Sequence, residues 1–83
     1  MYLYEIKPEL EKSLQKLAKK DKRYYESVVR KILQIADNPE IGKPLRNVLK
    51  GKRRVHIGHF VLIYEVDEKE KKISFLDFEH HDD

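Results

Sequence analysis

The chain has 83 residues, 40% of them hydrophobic and 40% charged, with a formal net charge of +3. That length is room for one domain spanning residues 1–83 with a modest core, and the absence of cysteine excludes disulfide scaffolds, Cys-based zinc sites and thiol catalysis. No apolar run approaches the ~18 residues of a membrane span, and Glu5, Lys7, Glu9 and Glu11 interrupt the stretch where a signal peptide needs apolar residues, so a cytoplasmic protein without a membrane partner is expected.

Tyr2, Tyr4 and Ile6 alternate with Glu5 and Lys7, the period of a half-buried strand. Pro8 ends it and suits the first turn of a helix, where its missing N–H costs nothing. Leu10, Leu14, Leu17 and Ala18 then give a helical core stripe, with Lys12, Lys16, Lys19 and Lys20 outside it. Asp21 is placed to cap a second helix running from about Lys22 to Asp37. Tyr25, Val28, Val29, Ile32, Ile35 and Ala36 form its apolar face, and Asn38-Pro39 stops it. Glu40 to Gly51 reads as an irregular segment, with Gly42, Pro44 and Gly51 as breakers and Leu45, Val48 and Leu49 tucked under the domain.

Strand patterning follows. Val55 and Ile57 alternate with Arg54 and His56, and Gly58-His59 fits a two-residue type II′ hairpin turn. Phe60 to Val66 is a nearly continuous apolar run, as in a central strand buried on both faces. Asp67 to Lys71 is a charged turn, and Lys72 to Glu79 carries a last strand. The fold class is therefore α+β, in the order β-α-α-β-β-β. A helical hairpin packs on one face of a small sheet, and the last three strands form an antiparallel meander.

The charge is unevenly spread. Between Glu40 and Glu65 there is no acid, while Lys43, Arg46, Lys50, Lys52, Arg53, Arg54, His56 and His59 all fall there. With His neutral this window carries +6 of a total of +3, leaving the remainder at −3. An acid-free basic segment is the footprint of a polyanion site, and the plainer reading is a solvated loop. Arg54 and His56 share a strand face. A guanidinium binds two phosphate oxygens at once, and an imidazole moves protons near neutral pH. Without a ligand the same two residues are ordinary solvent-side positions. Near the chain's end, in His80-His81-Asp82-Asp83, adjacent histidines on a strand take opposite faces, so one of them is expected beside His56. Metal binding is not expected, because no second ligand set has a recognisable spacing. Tyr64 reads as a core residue with a bonded hydroxyl.

The C-terminal half resembles that of RelE/ParE superfamily toxins. The matching residues are Leu45-Arg46, then Arg54-Val55-His56-Ile57-Gly58, Phe60 and Ile63-Tyr64-Glu65-Val66. The opening Tyr4-Glu5-Ile6 and the two helices are similar to the family's first half. The resemblance implies the toxin of a type II toxin–antitoxin pair, bound by a cognate antitoxin in a hetero-oligomer. RelE-like members cleave mRNA in the ribosomal A site without metal or other cofactor, through attack by the RNA's own 2′-OH. ParE-like members share the fold and poison DNA gyrase.

Carried over by position, the resemblance gives Arg54 and Arg46 to phosphate binding and His56 or His81 to proton transfer. His80 is a further catalytic candidate, and Lys43, Lys50, Lys52 and Arg53 are expected to hold nucleic acid. Two departures stand out. RelE-like nucleases usually carry Arg directly after the turn aromatic, where this chain has Val61. Many end in Arg and Tyr, where this chain has His80 and His81. A catalytically weakened member acting as an antitoxin-binding partner is therefore a third expectation.

Overall fold

The computed structural model describes residues 1–45 and 51–80. The expectations placed on Arg46, Val48, Leu49, Lys50 and His81 lie outside the described residues. Strand β1 (Leu3–Ile6) leads into helix α1 (Pro8–Lys20), which has Pro at its start, Glu9 and Glu11 in its first turn and Lys19 and Lys20 in its last. Each charge sits at the helix end whose dipole favours it. Helix α2 (Lys22–Asp37) begins at Asp21, whose carboxylate accepts the Tyr24 N–H at 3.1 Å. Replacing Asp21 with Ala should cost about 1 kcal/mol, read as a lower urea midpoint with an unchanged m-value.

The described start of the segment read as irregular, residues 40–45, is more ordered than its composition implies. Asn38 caps a 3-10 turn at Pro39–Ile41, its side chain accepting the Glu40 N–H at 3.2 Å. Lys43–Pro44 then forms a short strand, β2, on the edge of the sheet. Proline has no N–H to give a ladder, so an edge position suits it. Leu45 is half-buried, and its N–H donates to the Lys52 carbonyl at 2.9 Å.

Strands β3 (Lys52–Ile57), β4 (Phe60–Asp67) and β5 (Lys72–His80) form the expected antiparallel meander. Gly58 alone has a positive φ, 62°, in the β3–β4 turn, as a type II′ turn requires. In the β4–β5 turn the Asp67 carboxylate accepts the Lys69 and Glu70 N–H groups, and Lys71 takes the left-handed conformation. The sheet order is β1-β5-β4-β3-β2. β1 lies parallel to β5, so the sheet is mixed. The helical hairpin carries the chain from that edge across one face to the far side, and among the described residues no helix covers the opposite face of the sheet.

The core lies between the helices and the sheet. Leu10 and Leu14 come from α1, and Val28, Ile32 and Ile35 from α2. Ile57, Leu62, Tyr64, Ile73 and Phe75 come from the sheet. The strand read as buried on both faces is fully buried on its helix side, at Leu62 and Tyr64. On the open side Val61 is only 8% exposed and Ile63 is half-buried. Among the described residues no helix lies on that side. Among the described residues no helix is long and apolar enough to cross a membrane.

Candidate nucleic-acid interface

Residues paired directly across a sheet share a face. Arg54 pairs with Ile63 on one side and Lys43 on the other, and Ile63 pairs in turn with Asp77. His56 pairs with Val61, which pairs with Glu79. Lys52 pairs with Glu65, and Glu65 with Ser74. Val55 and Ile57 pack into the core from the alternate positions of β3. The open face therefore holds three lanes. Lys43, Lys52, Arg54 and His56 make a basic one along β2 and β3. Val61 and Ile63 make an apolar ridge on β4. Asp77 and Glu79 make an acidic one on β5.

The rigidity behind the basic lane comes from Tyr64. Its ring is wholly buried, its hydroxyl donates to the Pro39 carbonyl at 2.6 Å and it accepts the Gly42 N–H at 3.0 Å. Burial pushes the phenol pKa up, so the hydroxyl keeps the proton it donates. Arg53 points the same way as Tyr64, and its guanidinium donates to the Gly42 carbonyl at 2.7 Å and to that of Glu40 at 3.4 Å. These bonds hold the 3-10 turn and β2 against β3, which sets Lys43 beside Arg54. At the other end of β3 the Tyr24 hydroxyl donates to the Ile57 carbonyl and fixes the turn that follows.

Among the expected site residues the structure thus brings the nucleic-acid candidates Lys43 and Lys52 onto one face with the catalytic candidates Arg54 and His56, and turns Arg53 away toward backbone carbonyls. His80 also stands apart. It pairs with Phe60 on the helix side of the sheet, edge-on to that ring at 5.2 Å and nearly parallel to the His59 ring at 6.3 Å. Of the two terminal histidines, His80 is therefore not the one beside His56.

Asp77 and Glu79 were not singled out from the sequence. By simple alternation they fall with the core residues Ile73 and Phe75. A bulge changes this: Tyr64 pairs with Phe75 while Ile63 pairs with Asp77, so β5 carries one extra residue, Leu76. Beyond it the parity flips, Phe78 packs against the core and Asp77 and Glu79 face out. The signal was in the apolar pattern, which runs 73, 75 and then 76, 78. Asp77, as acceptor for the Glu79 proton and then as a like charge, pushes the Glu79 carboxyl above its usual pKa. On the same face Glu5 is held below its usual pKa by its bond to Lys72, 3.0 Å away, then by the Ser74 hydroxyl at 3.1 Å.

Comparison with known proteins decides the family. A family model for the ParE toxin of type II toxin–antitoxin systems matches residues 4–83. The chain belongs to the RelE/ParE toxin superfamily. RelE4, a candidate toxin of Methanocaldococcus jannaschii, is 47% identical to it over 83 residues, covering 99% of this chain and 88% of the relative. The toxin–antitoxin complex RelBE2 of Mycobacterium tuberculosis contains a chain 26% identical to it, with a TM-score of 0.81 over 96% of this chain and 98% of that one. The isolated RelE toxin of E. coli has the same fold at 15% identity, with a TM-score of 0.84 over 100% of this chain and 87% of that one. In this RelE/ParE toxin Lys43, Arg54 and His56 share the open face of the sheet.

Proposed function

We propose that this toxin is a RelE-like endoribonuclease that cleaves mRNA on the ribosome, in the cytoplasm, and is neutralised by a cognate antitoxin. The observation that carries this reading is the shared open face of Lys43, Arg54 and His56, next to an apolar ridge on which bases can lie. In the reaction the RNA 2′-OH attacks the adjacent phosphorus and the bond to O5′ breaks. The products are a 2′,3′-cyclic phosphate and a 5′-OH. Arg54 stabilises the charge on the phosphorane, Arg46 is a second phosphate ligand, and His56 or His81 moves the proton. The solved RelBE2 complex of M. tuberculosis supports an antitoxin partner here. So does the charge: a basic lane needs an acidic or polar cover when it is buried.

The test is inducible expression of the chain alone in a bacterial host, with primer extension across abundant mRNAs. Growth arrest with new cleavage ends is expected. Val61 favours a weakened antitoxin-binding member, because the position after the turn aromatic lacks the Arg usual in RelE-like nucleases. The ParE toxin model that matches residues 4–83 supports a second reading, a ParE-like gyrase poison. Growth arrest with intact mRNA and inhibited supercoiling would establish that reading. Soluble expression without arrest from a chain that also leaves native ribosomes' mRNA intact would establish a catalytically weakened antitoxin partner.

Val61 also yields a graded prediction. It sits between His56 and Glu79 in the ladder, so Val61→Arg adds a cation beside the proton-transfer candidate, with a carboxylate next to it as a counter-charge. Cleavage by the nuclease should rise by about tenfold or more, since one well-placed donor is worth about 10²–10³ when removed. An unchanged rate in a folded variant would take that position out of the active site.

A further inference from the structure

Asp77 and Glu79 lie in a place that a polyanion site does not predict. Two carboxylates stand on the same open face as Arg54 and His56, in register with them, and separated only by the β4 ridge. Neighbouring strands are about 4.8 Å apart, so β5 lies about 9.5 Å from β3. The Debye length at physiological salt is about 8 Å. A phosphate seated on Arg54 is thus just outside the strong field of Asp77, while one displaced onto β4 falls inside it. The bulge at Leu76 is what brings the acids to this face: without the extra residue, Phe78 would point outward and Asp77 and Glu79 into the core side.

We propose that Asp77 and Glu79 are specificity determinants that confine single-stranded RNA to one lane, with its backbone along β3 and its bases laid over Val61 and Ile63 toward the carboxylates. This rests on the reading of the basic lane as an RNA site and adds direction to it. The carboxylates repel phosphate, so a strand cannot cross the sheet or lie along β5. They also accept hydrogen bonds from the exocyclic amines of bases, as acidic side chains do with cytosine N4. Asp77 pairs with Ile63 and Glu79 with Val61, so both carboxylates stand beside the ridge where a base edge arrives.

The experiment is anisotropy of a fluorescein-labelled twelve-nucleotide RNA with the purified full chain, over a series of salt concentrations. Wild type, the isosteric Asp77→Asn/Glu79→Gln double variant and Arg54→Ala are compared. The double variant should bind about fivefold more tightly or better, because like-charge juxtaposition is removed. Its log K against log salt should steepen by about one phosphate's worth of slope, as the strand spreads onto β5. Preference for amine-bearing bases over poly(U) should fall. Unchanged affinity, slope and base preference in the double variant, with binding weakened in Arg54→Ala, would overturn the confinement and leave the basic lane standing. Binding unaffected by Arg54→Ala would overturn the lane and the confinement together.

Discussion

Replacing Arg54 with Ala should reduce mRNA cleavage by about 10²–10³-fold while leaving the fold intact. The magnitude is that of removing one preorganised donor from a developing negative charge. Arg54 is half-buried on the open face and, among the described residues, takes part in no salt bridge. Its loss therefore removes none of the ion pairs among the described residues. Its backbone sits in the middle of β3, paired with Lys43 and Ile63, and that pairing does not depend on the side chain. His56→Ala should act on the same step, with cleavage reduced by about 10²–10⁴-fold, the usual worth of a general acid or base. Single-turnover cleavage on programmed ribosomes, beside urea unfolding of each variant, separates chemistry from stability. Wild-type rates in the Arg54→Ala, His56→Ala double variant would remove β3 from the reaction.

The second large effect is structural. Gly42→Ala should destabilise the domain and disorganise the basic lane together. A Cβ on Gly42 would run into the Tyr64 hydroxyl and lie 2.9 Å from the Arg54 carbonyl oxygen. The second of these is backbone in the sheet and cannot swing away. Overpacking of this kind costs about 1–3 kcal/mol. Tyr64→Phe approaches the same knot from the other side. It leaves the Gly42 N–H and the Pro39 carbonyl without their partner, at a cost of about 1–3 kcal/mol. For a domain of this size ~2 kcal/mol lowers Tm by about 10 °C. Both substitutions should free the segment from Pro39 to Pro44, so amide exchange in β2 should accelerate more than in β4 or β5. Uniform acceleration across the sheet would mean that Tyr64 supports only the core.

Much of this architecture could be read from residues whose signals are local. Pro8, Asp21 and Asn38-Pro39 set the helix ends by backbone chemistry within a few positions, and the structure has the helices there. The alternation of Val55 and Ile57 against Arg54 and His56 gave the face of β3, and Gly58 its turn. Tyr64 was legible as a buried, bonded tyrosine because an apolar run surrounds it. What escaped was set by contacts far apart in the chain. β2 exists because Arg53 of β3 and Tyr64 of β4 grip the backbone of residues 39–42. No pattern within that segment foretells it. The parallel placement of β1 beside β5 is likewise a matter of where the helical hairpin returns the chain.

The candidate site was half legible for the same reason. Charge counting found the basic window, yet it could not sort the window by face. Arg53 spends its donors on Gly42 and Glu40, and His80 stands with Phe60. The acidic lane was hidden by one inserted residue in β5, which exchanges the two faces of a strand. Aligning the parity break at Phe75–Leu76 with the neighbouring run would have exposed it.

The most direct test of the account is the chemistry of the cut ends. Purified toxin is added to native ribosomes programmed with a defined mRNA, and the 5′ fragment is analysed by mass spectrometry. Attack by the 2′-OH predicts a 2′,3′-cyclic phosphate on that fragment and a 5′-OH on the other, with the signal lost in Arg54→Ala. Intact mRNA, or fragments ending in a 3′-OH, would contradict it.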